Sequence, residues 1–292
     1  PGGELAITSD DVFDLDALPE SIHIVGGGYI AFEFAHIFRR FGSDVTLLIR
    51  SRALKVFDPN VVHRLIEESK RIGITVRHDV EPIRIDSNVL TLSDDSTLEG
   101  VVLNATGRIP SIERLRLEAA GVTADHHGVH VNEHLQTSNP NIYAAGDVAN
   151  SSNPELTPFA GQEGRLAALN MLHGNTRSLP ERPAPTIVYA TPPIAKVGLT
   201  VEEAEAEGID FDVKETDMSH FLTYSRINDT TAYSKVLLSA EGHVIGAHLI
   251  GHHAPELINL FSYIIQNKLS HQHVKHLEVA YPTAASDLTY LI

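Results

Sequence analysis

The apolar positions along the chain alternate between two periods. β-Branched residues at Ile22, Ile24 and Val25 make a short strand, an amphipathic helix follows and ends near Gly42, and 45–49 is a second strand. Asp58-Pro59 then starts a helix running to about Arg71, with Pro59 suited to its first turn and Gly73 closing it. Strands at 74–80, 82–86, 89–92 and 101–103 are separated by Ser-Asn and Asp-Asp turns, which predicts a parallel sheet with a small antiparallel insert. A strand at 142–145 ends in Gly146-Asp147, and a helix opens at Thr157-Pro158, with Thr157 as N-cap and Pro158 as first helical residue, and reaches about His173. The proline-rich stretch 179–185 is a boundary. Beyond it the pattern is α+β: a strand at 186–189, a turn at Pro192-Pro193, a helix at 201–207, and strands at 211–216, 234–238 and 244–249. A long helix follows, in which Leu257, Leu260, Phe261, Ile264 and Ile265 form one stripe, fit for a core or a subunit contact. Residues 1–19 read as a linker with a Pro1-Gly2-Gly3 turn and Ser9 placed to cap Asp10-Asp11.

The first strand, helix and second strand form a βαβ unit whose turn is Gly26-Gly27-Gly28-Tyr29-Ile30-Ala31, a G-x-G-x-x-A pattern that points to a dinucleotide. Gly26 permits the tight turn, Gly28 lets the backbone approach a diphosphate at the helix N-terminus, and Ala31 lets the helix pack on the strand. NAD calls for a carboxylate after the second strand, to bond the ribose 2′-hydroxyl. This chain has Ile49-Arg50-Ser51-Arg52-Ala53-Leu54-Lys55 instead. Three cations and no carboxylate favour NADP, because a guanidinium binds a 2′-phosphate through two parallel hydrogen bonds; a solvated basic loop is the alternative.

Composition narrows the class. The 292 residues, 42% hydrophobic and 21% charged, predict a globular protein of about two domains. A formal net charge of -16 argues against nucleic acid and anionic membrane as partners. With no run long enough to span a bilayer and no signal peptide, a cytoplasmic location is expected. The opening at Pro1 suggests a fragment. There are no cysteines, hence no thiolate nucleophile, disulfide or cysteine metal site. The 17 histidines, including His126-His127, His252-His253 and His271-x-His273-x-x-His276, lack a ligand spacing and are expected at the surface, with no metal.

Three further places suit ligands. Gly107, within Ala105-Thr106-Gly107-Arg108-Ile109-Pro110, is either a close approach to a ligand or an ordinary turn. Asp147 can accept hydrogen bonds from sugar or ribityl hydroxyls, or cap a helix. The helix N-terminus at Thr157 can stabilise an anion such as a reduced flavin ring, or be a plain capped helix.

Four ordered motifs carry a resemblance: Ile24-Val25-Gly26-Gly27-Gly28-Tyr29-Ile30-Ala31-Phe32-Glu33, Ala105 to Pro110 as quoted, Ile142-Tyr143-Ala144-Ala145-Gly146-Asp147, and Thr191-Pro192-Pro193-Ile194-Ala195-Lys196-Val197-Gly198-Leu199-Thr200. Over essentially its whole length the chain resembles the pyridine-nucleotide disulfide oxidoreductases, the flavoenzymes that include glutathione reductase, dihydrolipoamide dehydrogenase and mercuric reductase. The resemblance implies an α/β fold with four segments: 1–19 a linker from a missing FAD half, 20–107 a Rossmann-like NAD(P)-binding domain, 108–180 the remnant of an FAD-binding domain, and 181–292 an α+β dimerisation domain of a homodimer. By it, Asp147 would bond the FAD ribityl chain, and the helix at Thr157 would point at the flavin pyrimidine edge. Glu33 would lie near the nicotinamide, Tyr29 would cover the flavin until NADPH enters, and Arg50 with Arg52 or Lys55 would hold the 2′-phosphate.

Two departures qualify what the resemblance implies. The family's first FAD motif and its Cys-x-x-x-x-Cys pair precede this region and are not in the chain. Where disulfide reductases of the family carry His-Pro-Thr and a glutamate, this sequence has Tyr281-Pro282-Thr283-Ala284-Ala285-Ser286, with Tyr281 at the histidine position and Ser286 at the glutamate position. Only ~0.1% of an unperturbed tyrosine is ionised at pH 7, so Tyr281 can donate a proton but is a poor base. The expected function is an FAD-dependent NADPH oxidoreductase of the disulfide reductase type, with a small molecule or small protein as electron acceptor. The alternatives are a cysteine-free flavin NAD(P)H oxidase, peroxidase or quinone reductase, and a truncated, non-catalytic NADP-binding dimerisation fragment.

Overall fold

In a computed structural model, which describes residues 1–180 and 182–292, the βαβ unit forms as its pattern predicts. β1 (Ser21–Val25) leads through Gly28 into α1 (Tyr29–Phe41), and β2 (Asp44–Ile49) returns parallel to β1. Gly42 ends α1 in the left-handed region, at a φ of 107° that a side chain would strain. α2 (Pro59–Arg71) starts at the expected place, with the Asp58 carboxylate accepting from the N–H groups of Asn60 at 2.9 Å and Val61 at 3.4 Å. β3 (Thr75–His78) then joins β2. β4 (Pro82–Asp86), β5 (Val89–Leu92) and β6 (Thr97–Glu99) are the antiparallel insert, and β7 (Val101–Asn104) returns to the other side of β1. The parallel order is therefore β3-β2-β1-β7, with the reversal of connection direction at β1. In such sheets a ligand crevice opens at the carboxyl ends of the strands beside that reversal. The 1–19 segment is tied down: Ile7 bridges Leu103 along the edge of β7, and the Ile85 N–H donates to the Pro1 carbonyl.

By its internal contacts the chain forms two compact units, Pro1–Gly107 with Pro185–Ile292, and Arg108–Ala184. The domain boundary expected at Glu181 lies outside the described residues. In the first unit β11 (Thr186–Val188), β12 (Ile194–Gly198), β13 (Phe211–Asp217), β14 (Tyr233–Ser239) and β15 (Val244–Ile250) make an antiparallel sheet ordered β11-β12-β15-β14-β13. Successive side chains in a strand point to opposite faces. Ala195, Val197, Val236, Ala247 and Leu249 join the core that includes α6 (Ala254–Gln266), while Ile194, Tyr233 and Ile250 join the core of the nucleotide-type domain. One sheet thus closes two cores. Its short helices α4 (Val201–Ala206), α5 (Leu222–Ser225), α7 (His271–Lys275) and α8 (Ala284–Leu291) border it, and of these only α4 was marked in the sequence.

The second unit holds β8 (Ala124–Asp125), β9 (Gly128–His130), β10 (Ala149–Asn150) and α3 (Thr157–His173). Two local expectations need correction here. The 142–145 strand is a single bridge between Tyr143 and Gln136, because the backbone turns tightly there, with Ile142 donating to Asn139 and Ala144 to Leu135. Thr157 is the first residue of α3 and Leu156 its N-cap, without a side-chain cap. The histidine expectation also fails in part, since His23, His36 and His248 are buried.

Candidate functional site

At the end of β1 the Gly26 N–H donates to the Leu48 carbonyl at 3.0 Å while the Ala105 N–H donates to Val25 at 2.8 Å, so the turn is held from both neighbouring strands. Gly26 has a φ of 141°, and a Cβ on it would run into the Ala105 carbonyl oxygen. Glycine is demanded there by the fold itself. Gly28 differs: it caps α1 in extended conformation, it is exposed, and a Cβ on it would meet nothing. The fold does not need a glycine at Gly28, whereas a diphosphate resting on the first N–H groups of α1 does need the open backbone. Tyr29 beside it is 53% exposed, and Ala31 is fully buried against the sheet.

The loop after β2 folds over this turn. The Leu54 N–H donates to the Gly27 carbonyl at 2.8 Å, and Ala53, Leu54 and Phe57 are buried, so the loop is anchored by apolar groups and turns its cations outward. Arg50 is mostly exposed, its Nε 3.9 Å from Glu81. Lys55 is exposed and forms no ion pair among the described residues. Arg52 is engaged: it donates to the Phe57 carbonyl at 3.1 Å and lies 3.6 Å from Glu202 of α4. Of the three cations read from the sequence, Arg50 and Lys55 are left to meet an anion.

One polar face of α1 grips the segment after β11. Glu33 accepts from the Tyr189 N–H at 2.7 Å, and burial pushes its carboxyl up from the usual range. His36 accepts at Nδ1 from the Thr191 N–H at 3.2 Å, and Arg40 donates to the Thr191 carbonyl at 3.0 Å. On the other side of His36, Nε2 lies 2.9 Å from Ser69 Oγ, which itself donates to the Leu65 carbonyl at 2.7 Å. The Ser69 proton being committed, the imidazole carries its hydrogen on Nε2. Asp58, besides capping α2, meets the Lys235 ammonium of β14 at 3.0 Å in a buried pair, with Glu215 3.6 Å from the same ammonium. These clamps were missed in the sequence, which marked Asp58 only as a helix start.

In the second unit, Gly146 turns at a φ of 74° and donates to the buried Glu163 of α3 at 2.8 Å. Glu163 also accepts from Ser151 at 2.6 Å and Asn153 at 3.0 Å, fixing the loop. Asp147 is exposed and makes no hydrogen bond among the described residues, so it caps no helix. Thr157 is exposed at the uncapped start of α3. Gly107 closes the first unit at a φ of 135° with open space where a Cβ would stand. Tyr281 is 75% exposed. Ser286 is turned away from any role in orienting it, because its hydroxyl accepts from the Thr283 N–H in a capping box. The neighbouring Asp287 is buried, accepts from the Thr223 hydroxyl, and has its carboxyl pushed up by that burial. Among the described residues no group of three or more His, Asp or Glu could hold a metal, and no helix is long and apolar enough to cross a membrane.

A family model described as pyridine nucleotide-disulphide oxidoreductase matches residues 2–164, and the dimerisation domain of the same name matches residues 184–291. An uncharacterized 19.7 kDa protein in a mercuric resistance operon of Staphylococcus aureus is 41% identical over 180 residues, 61% of this chain and all of that protein. Glutathione reductase of Burkholderia cepacia is 33% identical over 99% of this chain. The HOCl-induced flavoprotein disulfide reductase RclA of Escherichia coli superposes with a TM-score of 0.91 at 26% identity, over all of this chain and 69% of that one. The chain spans 53% to 66% of the lengths of the curated reductases it matches.

Proposed function

Because the chain belongs to the pyridine nucleotide-disulphide oxidoreductase family, we propose that it is the nucleotide-binding and dimerising part of an FAD-dependent, NADPH-using oxidoreductase of the disulfide reductase type. The observation that carries this reading is the pair of glycines: Gly26 is required by Ala105, and Gly28 is left open over the N-terminus of α1. The cofactors supply hydride transfer from NADPH to FAD and onward reduction of a disulfide outside these residues, which contain no cysteine.

The residues divide the binding work. The turn at Gly26 and Gly28, with Ala31 behind it, receives the diphosphate, and Arg50 with Lys55 receives the 2′-phosphate. Arg52 holds the loop through Phe57 and Glu202. Glu33 borders the nicotinamide and Tyr29 covers the flavin. Asp147, free of internal partners, accepts from the ribityl hydroxyls, and the uncapped α3 at Thr157 offers N–H groups and a positive dipole end to the flavin pyrimidine edge. In a homodimer Tyr281 reaches the partner subunit's redox site as a hydrogen-bond donor toward a small-molecule or small-protein acceptor. Tyr281 also gives weight to a second reading, a flavin NAD(P)H oxidase or quinone reductase, because neither needs a histidine base there.

The test is anaerobic mixing of the complete, FAD-containing enzyme with NADPH while the visible flavin absorption is followed. Bleaching in the wild type that Gly26→Ala abolishes supports the reading. Bound FAD that NADPH leaves oxidised would contradict it.

A further inference from the structure

Arg50 stands just beyond the carboxyl end of β2, and Glu81 just beyond that of β3, the neighbouring parallel strand. The chain fixes Glu81 there from both sides. The Asp79 N–H donates to the Ile49 carbonyl at 2.9 Å, which carries the pairing with β2 one residue past β3, and Val80 is buried in the core that also holds Ile85, Leu90 and Leu92. Glu81 then makes two bonds through its main chain to Ser93, in the turn between β5 and β6: its N–H donates to Ser93 Oγ at 3.0 Å, and its carbonyl accepts from the Ser93 N–H at 2.9 Å. Arg77 of β3 steadies the same turn by donating to Ser96 and Asp94.

The antiparallel insert thereby presents a carboxylate to a cation of the nucleotide loop, with Glu81 Oε1 3.9 Å from Arg50 Nε. Both side chains are exposed, at 54% and 74%, so the pair adds little to stability. Its weight lies in what it does to an anion. Arg50 carries one positive charge and a 2′-phosphate is close to a dianion, so an anion held by Arg50 shares that guanidinium with a second negative group. Glu202 stands in a similar place beside Arg52, but that guanidinium also donates to the Phe57 carbonyl and is built into the loop. Arg50 is thus a phosphate-facing cation with a carboxylate already beside it.

Resting on the NADPH reading above, we propose that Glu81 is a specificity-setting residue: a counter-ion that holds part of the charge of Arg50 and so limits the advantage of the 2′-phosphorylated nucleotide over the unphosphorylated one. The unphosphorylated nucleotide brings no charge to this place, and its affinity is indifferent to Glu81. The antiparallel insert, which lies outside the glycine turn, acquires a part in nucleotide choice through this one carboxylate.

The experiment is calorimetric titration of the intact protein with NADP+ and NAD+, which leave any bound flavin oxidised, for the wild type, Glu81→Gln, Arg50→Gln and the double variant. Glu81→Gln keeps the size of the side chain, and the bonds of Glu81 to Ser93 run through its main chain, so the fold is undisturbed. At low ionic strength Glu81→Gln should bind NADP+ about threefold or more tighter, with NAD+ affinity unchanged. The gain should be smaller in the Arg50→Gln background and should fall toward none at about 0.5 M salt. NADP+ affinity unchanged or weakened by Glu81→Gln, equal gains for both nucleotides, or a gain undiminished by Arg50→Gln overturns the proposal. If Arg50→Gln in that case still weakens NADP+ binding alone, the nucleotide reading stands and only the role of Glu81 falls; NADP+ binding indifferent to Arg50→Gln overturns both.

Discussion

Lowering the pH should loosen the grip of α1 on the Tyr189–Thr191 segment through His36. Burial, with Arg40 beside it, brings the His36 imidazole down to about 4 from an ordinary 6.5. Its geometry gives the same sign: Nδ1 accepts from the Thr191 N–H, and a proton placed on Nδ1 would set two donors against each other. A group lowered in the folded state binds its proton more readily when unfolded, so its contribution is whole above pH 6.5 and is lost as pH falls toward 4. At about 1.4 kcal/mol per pH unit, that interval corresponds to about 3 kcal/mol. Urea unfolding followed between pH 7.5 and pH 4 measures it. Burial also lowers His23 and His248, so the diagnostic quantity is the difference between wild type and His36→Gln. The wild type should lose about 3 kcal/mol more than the variant across the interval. Parallel pH profiles for the two proteins, or an NMR titration of His36 with a midpoint near 6.5, would refute the reasoning.

Three further outcomes follow from the same geometry. Gly26→Ala should abolish NADPH binding and lower the unfolding midpoint, since its Cβ meets the Ala105 carbonyl and its φ of 141° is strained for any side chain; a variant that binds NADPH normally by calorimetry contradicts the turn. Lys235→Met leaves Asp58 buried without its cation and should cost about 3–5 kcal/mol in urea unfolding, part of which Asp58→Asn restores; an unchanged midpoint would show the pair to be dispensable. In the complete enzyme Tyr281→Phe should slow reoxidation by the acceptor more than reduction by NADPH, and equal slowing of both half-reactions in stopped flow would remove Tyr281 from the acceptor side.

What could be read in advance was what is encoded locally. Gly26, Gly28 and Ala31 signal their turn by their spacing between a strand and a helix, although what requires Gly26 is the distant Ala105 carbonyl and no protein atom requires Gly28, and Asp58-Pro59 marked its helix because a cap and a first-turn proline are adjacent. No strand was read at Ile194–Gly198, where Ile194 on one face and Ala195 and Val197 on the other close different cores. The clamps lay out of reach. Glu33 and Tyr189 are 156 positions apart, His36 and Thr191 155, and Asp58 and Lys235 177, so only the folded backbone brings them together. The 142–145 segment misled because its small and β-branched residues favour a strand, while the Asn139-Pro140 turn before it leaves only the Thr137–Ile142 and Ala144–Leu135 bonds, enough for a single bridge. Arg52 looked like a phosphate ligand by composition alone, and Glu202, 150 residues later, is what engages it.

The central claim, a dinucleotide site tuned to a 2′-phosphate, is tested most directly by calorimetric titration of the protein with NADPH and NADH, before and after Arg50→Glu. The account predicts tighter binding of NADPH in the wild type, by about tenfold or more from one charge-assisted contact, and loss of that preference in the variant with NADH affinity little changed. Equal affinities in the wild type, or a preference that Arg50→Glu leaves intact, would contradict it.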